Sequence, residues 1–257
     1  MPVDPDLELA ASLATGAGEL LEGLRRRGSP TGTEGDLASN RYLLARLAAE
    51  RPHDAVLSEE SADNPARLEA DRVWIIDPLD GSREFAERAS DGRWRDDYAV
   101  HVALWTRAVG LAGGAVGLPA RSLVYRSDDP PLPSPGTGDG PLRIAVSRTR
   151  PPGLVRDLAD AVPVEFVAMG SAGVKTMAVV TGDVDAYVHA GGQYEWDSAA
   201  PAAVALGVGL HASRIDGSPL IYNAASPWLP DLVVCRRDRA ASLLALIRTL
   251  EGEKWAS

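Results

Sequence analysis

Two acidic residues follow an apolar run in the stretch WIIDPLDGSREF, residues 74–85, and their spacing suggests chemistry. Proline directly after Asp77 disfavours helical geometry there, so the apolar run predicts a strand that ends at Asp77. The chain is then expected to turn, with Gly81 as a flexible position before Ser82. The backbone N–H groups of Gly81 and Ser82 would point at an anion beside the carboxylates of Asp77 and Asp80. An ordinary Asp-Pro turn followed by an Asp-Gly turn is the alternative interpretation.

Three further stretches contain the residue types of a metal or phosphate site. LSEES places Glu59 after the short apolar run AVL, at a second expected strand end. EWDSAAP places Asp197 at the start of an expected helix, with Pro201 in its first turn. TGTEGD places Thr33 and Asp36 just ahead of another expected helix. Each stretch also has a structural interpretation, because LSEES suits a solvated acidic loop and the other two suit helix N-caps.

These acids become informative if the fold brings them into one pocket. Carboxylates packed closely repel one another and raise their pKa values unless a cation lies between them. Mg²⁺ prefers carboxylates, water and substrate phosphates, whereas the four histidines and the single cysteine show no zinc-ligand spacing. The sequence therefore predicts a magnesium site whose carboxylates are Glu59, Asp77, Asp80 and Asp197.

Composition argues against several other functions. The formal net charge is −10, from 36 acidic and 26 basic residues, which disfavours nucleic-acid binding because that depends on neutralising phosphates. No stretch reaches the roughly 18 apolar residues of a membrane span, and no basic flank of a signal peptide is present, so a cytoplasmic protein is expected. Cys235 stands alone in an apolar run and predicts a buried thiol. GLAGGAVG lacks the spacing of a dinucleotide loop, so no nucleotide cofactor is expected.

Periodicity predicts the elements that would position these residues. Apolar residues from Leu9 to Leu24 are spaced by four, four, three and four, which predicts an amphipathic helix, and a second helix is expected from about Asp36. Strands are expected at VWII, YAVHVALW, SLVYR, LRIAVS, VEFVAM, VDAYVHA and DLVVC, and helices at SAGVKTMAVVTG, DSAAPAAVALG and DRAASLLALIRTL. The proline- and glycine-rich segment 127–141 predicts a linker, which divides the chain into domains 1–135 and 136–257.

In this order and spacing, SEES, WIIDPLDGSREF, GSAGVK and EWDSAAP resemble the inositol monophosphatase superfamily of Mg²⁺-dependent, lithium-sensitive phosphatases. DRVWIIDPLDG, GGQYEWDSAAP and HASRIDGSPLIYN are most similar to its bacterial CysQ-type members, the 3′-phosphoadenosine 5′-phosphate phosphatases. The resemblance runs from about Leu9 to Arg236. It implies an α+β N-terminal domain packed on an α/β C-terminal domain, as an αβαβα sandwich with the active site between them. A homodimer is common in the superfamily.

The resemblance also implies roles for the acids. Glu59, Asp77 and the backbone carbonyl of Leu79 would hold one Mg²⁺. Asp77, Asp80 and Asp197 would hold a second, so that Asp77 bridges two of the two or three ions in the active site. Such a pair ionises a water, neutralises phosphate oxygens and stabilises the departing alkoxide.

By the same resemblance, Ser82 paired with Asp36 or Thr33 would orient the nucleophilic water. The amides of Gly81 and Ser82 would bind the phosphate. The superfamily usually has threonine at the position of Ser82. The hydroxyl is kept here, but loss of the stiffening methyl group is expected to loosen the positioning of the water.

The remaining differences favour a nucleotide substrate. Inositol-specific members have a glutamate seven residues before the aspartate of the WD pair, where this chain has Ala190. VSRTR resembles the S-R-S-H stretch of nucleotide-type members, with arginine in place of histidine. The residues expected to bind a second phosphate, or otherwise to lie on solvated surface, are Ser147, Arg148, Arg150 and Lys175. Nucleotide-type members often have a serine three residues before the lysine of GSAGVK, where this chain has Ala172, so Ser171 is the candidate hydroxyl for a substrate contact.

The sequence thus predicts an enzyme that removes the 3′-phosphate of adenosine 3′,5′-bisphosphate, and of its sulfated relative, giving AMP or adenosine 5′-phosphosulfate. It would clear a by-product of sulfate assimilation. The alternative within this fold is a phosphatase for inositol phosphates or fructose 1,6-bisphosphate, alone or with dual specificity. A non-catalytic Mg²⁺- or phosphate-binding regulator is a third hypothesis. The combination of four metal acids, Asp36 and a hydroxyl at position 82 argues against it.

Overall fold

The computed structural model describes residues 4–131, 140–148 and 153–256. The predicted domain boundary at residue 135 and the predicted phosphate ligand Arg150 lie outside these ranges. None of the described helices is long and apolar enough to cross a membrane.

The first half of the chain forms a five-stranded sheet with the order β1-β2-β3-β4-β5. Strand β1 runs parallel to β2, and the other neighbours are antiparallel. The strands are β1 (Ala55–Ser58), β2 (Arg72–Asp80), β3 (Ala99–Thr106), β4 (Gly110–Leu118) and β5 (Leu123–Arg126). The helices are α1 (Pro5–Arg27), α2 (Gly32–Glu50) and α3 (Ser82–Ala86), with short 3₁₀ turns at Pro65–Glu69 and Pro119–Arg121.

The second half forms another five-stranded sheet, with the order β7-β6-β8-β10-β9. The strands are β6 (Leu142–Ser147), β7 (Val164–Met169), β8 (Ala186–Tyr194), β9 (His211–Ser213) and β10 (Trp228–Cys235). The helices are α4 (Gly153–Ala161), α5 (Ala172–Val180), α6 (Glu195–Gly207) and α7 (Arg237–Ala256).

The two sheets and their helices make five layers. Helices α1 and α2 pack on the outer face of the first sheet, and α5 and α6 lie between the sheets. Helices α4 and α7 cover the outer face of the second sheet. In β2, Val73 and Ile75 face the central core while Trp74 and Ile76 face α1 and α2, because successive strand side chains point to opposite faces. Both faces are buried, which explains the continuous apolar strands and confirms the predicted αβαβα sandwich.

Helix α2 begins four residues earlier than predicted. Its N-cap is Thr31, whose hydroxyl accepts a hydrogen bond from the Glu34 amide at 3.2 Å while the Glu34 carboxylate accepts from the Thr31 amide at 2.8 Å. This reciprocal pair satisfies two amides that a helix start leaves without partners. Thr33 and Asp36 therefore lie within the helix, and their interpretation as N-caps is wrong.

Strand β4 is an element that the sequence patterns did not predict, because GLAGGAVG lacks the β-branched and aromatic residues typical of strands. Its glycines allow neighbouring backbones to come close. A Cβ at Gly114 would lie 2.7 Å from the Val102 carbonyl oxygen, and one at Gly117 would lie 3.2 Å from the Ala14 carbonyl oxygen. Helix α4 was also not predicted, whereas the expected burial of Cys235 is confirmed.

Candidate active site

Strand β2 carries the first two acids, and an irregularity in its pairing sets their direction. Asp77 pairs with His101 of β3, but the next pair is Asp80 with Ala99, so β2 contains one extra residue at this point. An insertion of this kind reverses the alternation of side chains beyond it. Asp77 and Asp80 therefore both face the centre of the molecule, while Leu79 is buried in the cluster beneath α1 and α2. The strand continues to Asp80, so the predicted end at Asp77 is wrong.

Asp197 approaches from the other half of the chain. It is the third residue of α6, and its Oδ2 accepts a hydrogen bond from the amide of Tyr194, the N-cap residue, at 2.6 Å. The N-cap interpretation of Asp197 is therefore wrong, and Pro201 lies inside α6 rather than in its first turn. One carboxylate oxygen each from Asp77, Asp80 and Asp197 lie within 4.8 Å of one another.

Glu59 completes the acidic group. It follows β1 directly and its carboxylate lies beside that of Asp77, although the residue as a whole is solvent-exposed. Loss of solvation and the charge of Asp197 raise the pKa of Glu59 to about 7. Burial and the neighbouring Glu59 and Asp80 raise the pKa of Asp77 well above its usual range. Burial and the charge of Asp80 raise the pKa of Asp197 to about 6.

Asp80 differs from the other acids because its partners favour the charged form. Burial alone would raise its pKa, but His101, Lys175 and Ser171 outweigh burial and lower the pKa to about 2. Its Oδ2 accepts hydrogen bonds from the Ser171 hydroxyl at 2.5 Å and from the Gly173 amide at 2.8 Å. These contacts attach β2 to the start of α5.

The donor set fits a hard divalent cation. It consists of oxygen atoms from crowded carboxylates, and burial, together with the charge of the neighbouring acids, raises the pKa values of Asp77 and Asp197. A cation bound among them would stabilise their charged forms and displace protons.

The predicted water-orienting residues line one cavity, whose lining does not include the predicted metal ligands. A cavity of about 490 Å³ is lined by Thr33, Asp36 and Ser82 together with Gly32, Arg83, Ala86 and Glu87. Gly81, with a φ of 93°, adopts the left-handed conformation that favours glycine and directs the chain into α3. Burial and the charge of Glu60 raise the pKa of Asp36 to about 7.

The predicted substrate-binding residues that the structure describes, Ser147, Arg148, Ser171 and Lys175, have protein partners. The Ser171 hydroxyl donates to Asp80 and accepts from the Val174 amide, so a substrate contact would have to replace one of these bonds. Lys175 is buried, and its Nζ lies 3.4 Å from the Gly170 carbonyl oxygen and 5.2 Å from the centre of the Tyr187 ring. Burial lowers the pKa of Lys175 from its usual value.

Arg148 is ion-paired with acids of the first half of the chain. One guanidinium nitrogen hydrogen-bonds Asp97, and the other lies 3.6 Å from the Glu84 carboxylate. Asp97 also accepts a hydrogen bond from the Gly170 amide at 2.7 Å. Ser147 ends β6 directly before Arg148.

Sequence reasoning missed His101, which contacts Asp80 from β3. The available signal was a histidine within YAVHVALW, an otherwise apolar strand pattern. Such a residue is buried and needs a polar partner.

Comparison with known proteins identifies the family of this chain. Residues 4–129 and 142–250 match the profile of the inositol monophosphatase family. The chain belongs to this family, whose members are metal-dependent and carry an acidic cluster.

Individual relatives narrow the comparison. The chain is 54% identical over 259 residues to the 3′-phosphoadenosine 5′-phosphate phosphatase of Mycobacterium leprae, covering 95% of this chain and 93% of that protein. It is 34% identical over 209 residues to the 3′(2′),5′-bisphosphate nucleotidase CysQ of Haemophilus influenzae, covering 74% of each. The crystal structure of CysQ from Bacteroides thetaiotaomicron superposes with a TM-score of 0.75 at 24% identity, covering 90% of this chain and 97% of that one. This structural similarity supports the inositol monophosphatase fold of the chain.

Proposed function

We propose that this protein is a magnesium-dependent phosphatase that hydrolyses the 3′-phosphate of 3′-phosphoadenosine 5′-phosphate, giving AMP and phosphate. The sulfated relative is proposed as a second substrate. The observation that carries the proposal is the convergence of Asp77, Asp80 and Asp197 within 4.8 Å, in a chain 54% identical to a protein named for this activity.

The acidic group suggests how cations would be held. Glu59, Asp77 and the Leu79 carbonyl would hold one Mg²⁺, and Asp77, Asp80 and Asp197 a second, with a third ion left open by the family resemblance. Cations bound there supply positive charge for the phosphate oxygens and the leaving oxygen, and they activate water. Asp77 is suited to the shared position because it is buried and its carboxylate lies near those of Glu59, Asp80 and Asp197.

The chain's own residues would position the nucleophile and the phosphate. Ser82, together with Thr33 or Asp36, would orient the attacking water from the cavity that these residues line. The pKa of Asp36, at about 7, suits proton transfer near neutral pH. The amides of Gly81 and Ser82 would bind the phosphate directly beyond Asp80.

Substrate preference would depend on residues from the second half of the chain. Lys175 is the proposed cation for the second phosphate, supported by its position one turn beyond Ser171 and by the effect of its charge, which favours the ionised form of Asp80. Ser147, Arg148, Arg150 and Ser171 are proposed to assist, with Arg148 exchanging an acidic partner for phosphate. Ala190 offers no carboxylate to inositol hydroxyls.

The proposal is tested by comparing phosphate release from 3′-phosphoadenosine 5′-phosphate, inositol 1-phosphate and fructose 1,6-bisphosphate, each with Mg²⁺ and with EDTA. We expect the highest kcat/KM for the nucleotide and loss of activity with EDTA. A higher value for inositol 1-phosphate would favour the alternative sugar phosphatase, and comparable values would favour dual specificity. Magnesium binding without phosphate release from any of the three substrates would favour the regulator.

Three further proposals carry over from the sequence analysis, of which only the homodimer rests on the family resemblance. They are a division into domains 1–135 and 136–257, a homodimer, and a cytoplasmic location. Size-exclusion chromatography with light scattering tests the homodimer, and limited proteolysis near residue 135 tests the division. Fractionation of the source cells tests the location.

A further inference from the structure

His101 lies in the middle of β3, opposite Asp77 in the strand register, and its side chain is fully buried. Neighbouring positions of this strand, such as Val100 and Val102, are apolar and also fully buried. A polar ring in such a position costs stability unless its nitrogens have partners. The partners of the two His101 ring nitrogens therefore indicate the role of this residue.

The His101 ring contacts both halves of the acidic site. Its Nε2 lies 3.3 Å from Asp80 Oδ2, and its Nδ1 lies 4.0 Å from Asp77 Oδ2. The same Nδ1 lies 3.0 Å from the backbone carbonyl oxygen of Trp196, the residue directly before Asp197. A carbonyl oxygen only accepts hydrogen bonds, so Nδ1 carries a hydrogen and the orientation of the ring is set. When the ring is protonated, its Nε2 hydrogen faces Asp80 as an ion pair.

We infer that His101 is a positioning residue that holds the metal ligands of β2 and α6 in register with each other. The inference rests on the proposed metal-dependent function. Together with Ser171 and Gly173, His101 surrounds Asp80 Oδ2 with three groups, which leaves Oδ1 without a hydrogen bond from the described part of the chain. Groups behind a ligand fix its orientation and thereby tune metal affinity.

Gly173 provides the space that this arrangement needs. A Cβ on Gly173 would lie 2.2 Å from His101 Nε2, closer than atoms pack, and 3.0 Å from the Ala99 Cβ, a tight contact. The Gly173 amide also donates to Asp80. The ring and the start of α5 are therefore fitted to each other, and a change at either should displace Asp80.

The test is metal binding without substrate, measured by titrating Mn²⁺ and following its electron paramagnetic resonance. His101→Leu should weaken Mn²⁺ binding about 10- to 100-fold, the range for residues that orient metal ligands. His101→Gln places an amide nitrogen near Nε2, and His101→Asn places one near Nδ1. Each should recover part of the lost affinity because each restores one of the two contacts.

His211→Leu is the matched control. His211 is half-buried in β9, where its Nε2 lies 2.8 Å from the Ser213 hydroxyl, and none of its described contacts involves the acidic site. This variant should bind Mn²⁺ like the wild type. Melting temperatures measured in EDTA would show any general loss of stability in each variant.

Wild-type affinity in His101→Leu, even with a lowered melting temperature, would overturn the inference and leave His101 a structural core residue. If His101→Leu does not fold, Gly173→Ala carries the test, because it retains the histidine but displaces its ring. Unchanged Mn²⁺ binding in Gly173→Ala would then overturn the inference. A wild-type protein that binds no Mn²⁺ would refute the proposed function as well, whereas equal binding by the wild type and His101→Leu refutes the inference alone.

Discussion

Asp77 and Asp80 share one face of β2 although they are three positions apart in sequence. Asp77 pairs with His101 and Asp80 with Ala99, so β2 contains one residue more than β3 between the two pairs. In a regular strand, residues three positions apart point to opposite faces. Asp80 would then lie in the apolar layer beneath α1 and α2, far from Asp197. The irregularity thus makes a shared cation site possible.

Asp77→Asn should lower kcat for 3′-phosphoadenosine 5′-phosphate by at least about a thousandfold, several kcal/mol of transition-state stabilisation. The reason is that Asp77 is proposed to bind both cations. Steady-state kinetics at saturating Mg²⁺ measure the effect. Asp71→Asn, on an exposed side chain paired only with Arg107 in the described structure, is the control and should retain activity. Near-normal turnover in Asp77→Asn would contradict the two-metal mechanism.

The metal-free protein should lose stability as pH rises from about 4 to about 7. Folding raises the pKa of Asp197 from 3.8 to about 6 and that of Asp36 from 3.8 to about 7, so the folded state binds more protons than the unfolded state in this interval. Their contribution is fully present below the unfolded pKa and is lost as pH passes the folded pKa. Melting temperatures in EDTA between pH 4 and 8 measure this loss.

Two comparisons make the pH prediction specific. Saturating Mg²⁺ should reverse most of the loss at pH 7, because the cation replaces the protons. Asp197→Asn should make the fall in stability shallower between pH 4 and 6. An unchanged pH dependence in this variant would show that Asp197 does not contribute.

Lithium should inhibit the enzyme at micromolar to millimolar concentration, by occupying a cation site bounded by Asp80 and Asp197. The expectation rests on the family resemblance and on the closeness of these two carboxylates. Inhibition curves with LiCl, and with KCl at equal ionic strength as the control, measure it. Full activity at high LiCl would argue against this site.

Lys175→Ala should raise KM for the nucleotide bisphosphate by an amount equivalent to about 1.5–3 kcal/mol, the contribution of a hydrogen bond to a charged group. A simple monophosphate ester should be nearly unaffected, and it serves as the control within the same variant. Equal losses on both substrates would mean that Lys175 supports the fold or the shared phosphate site. No change on either would remove it from substrate binding.

Ala190→Glu should shift the ratio of kcat/KM values from the nucleotide toward inositol 1-phosphate. The added carboxylate would repel a bisphosphate and accept hydrogen bonds from ring hydroxyls. Ala190 is half-buried on β8, beside the change in register between β8 and β10. Combination with Lys175→Ala should shift the ratio further. An unchanged ratio in the double variant would mean that other residues set specificity.

Local pattern was sufficient to predict much of the scaffold. The apolar spacing from Leu9 to Leu24 predicted α1, and β-branched and aromatic runs predicted β2 and β3, because periodicity reflects which faces an element buries. The glycine-rich strand β4 was not predicted from the sequence. Glycine has low strand propensity, but neighbouring backbones pack too closely against Gly114 and Gly117 for a side chain to fit. The five-layered sandwich followed from the order of the elements and the family resemblance.

The sequence by itself determined which acids are present and the order in which they occur, and it thereby identified the family. Tertiary structure decided what each group contacts. The extra residue in β2 turned Asp80 toward Asp197, Ser171 became a partner of Asp80, and Arg148 became a partner of Asp97. The tertiary structure also placed His101 between Asp80 of β2 and the Trp196 carbonyl oxygen of α6. Strand register and ion-pair partners depend on residues distant in the chain, so no local pattern specifies them.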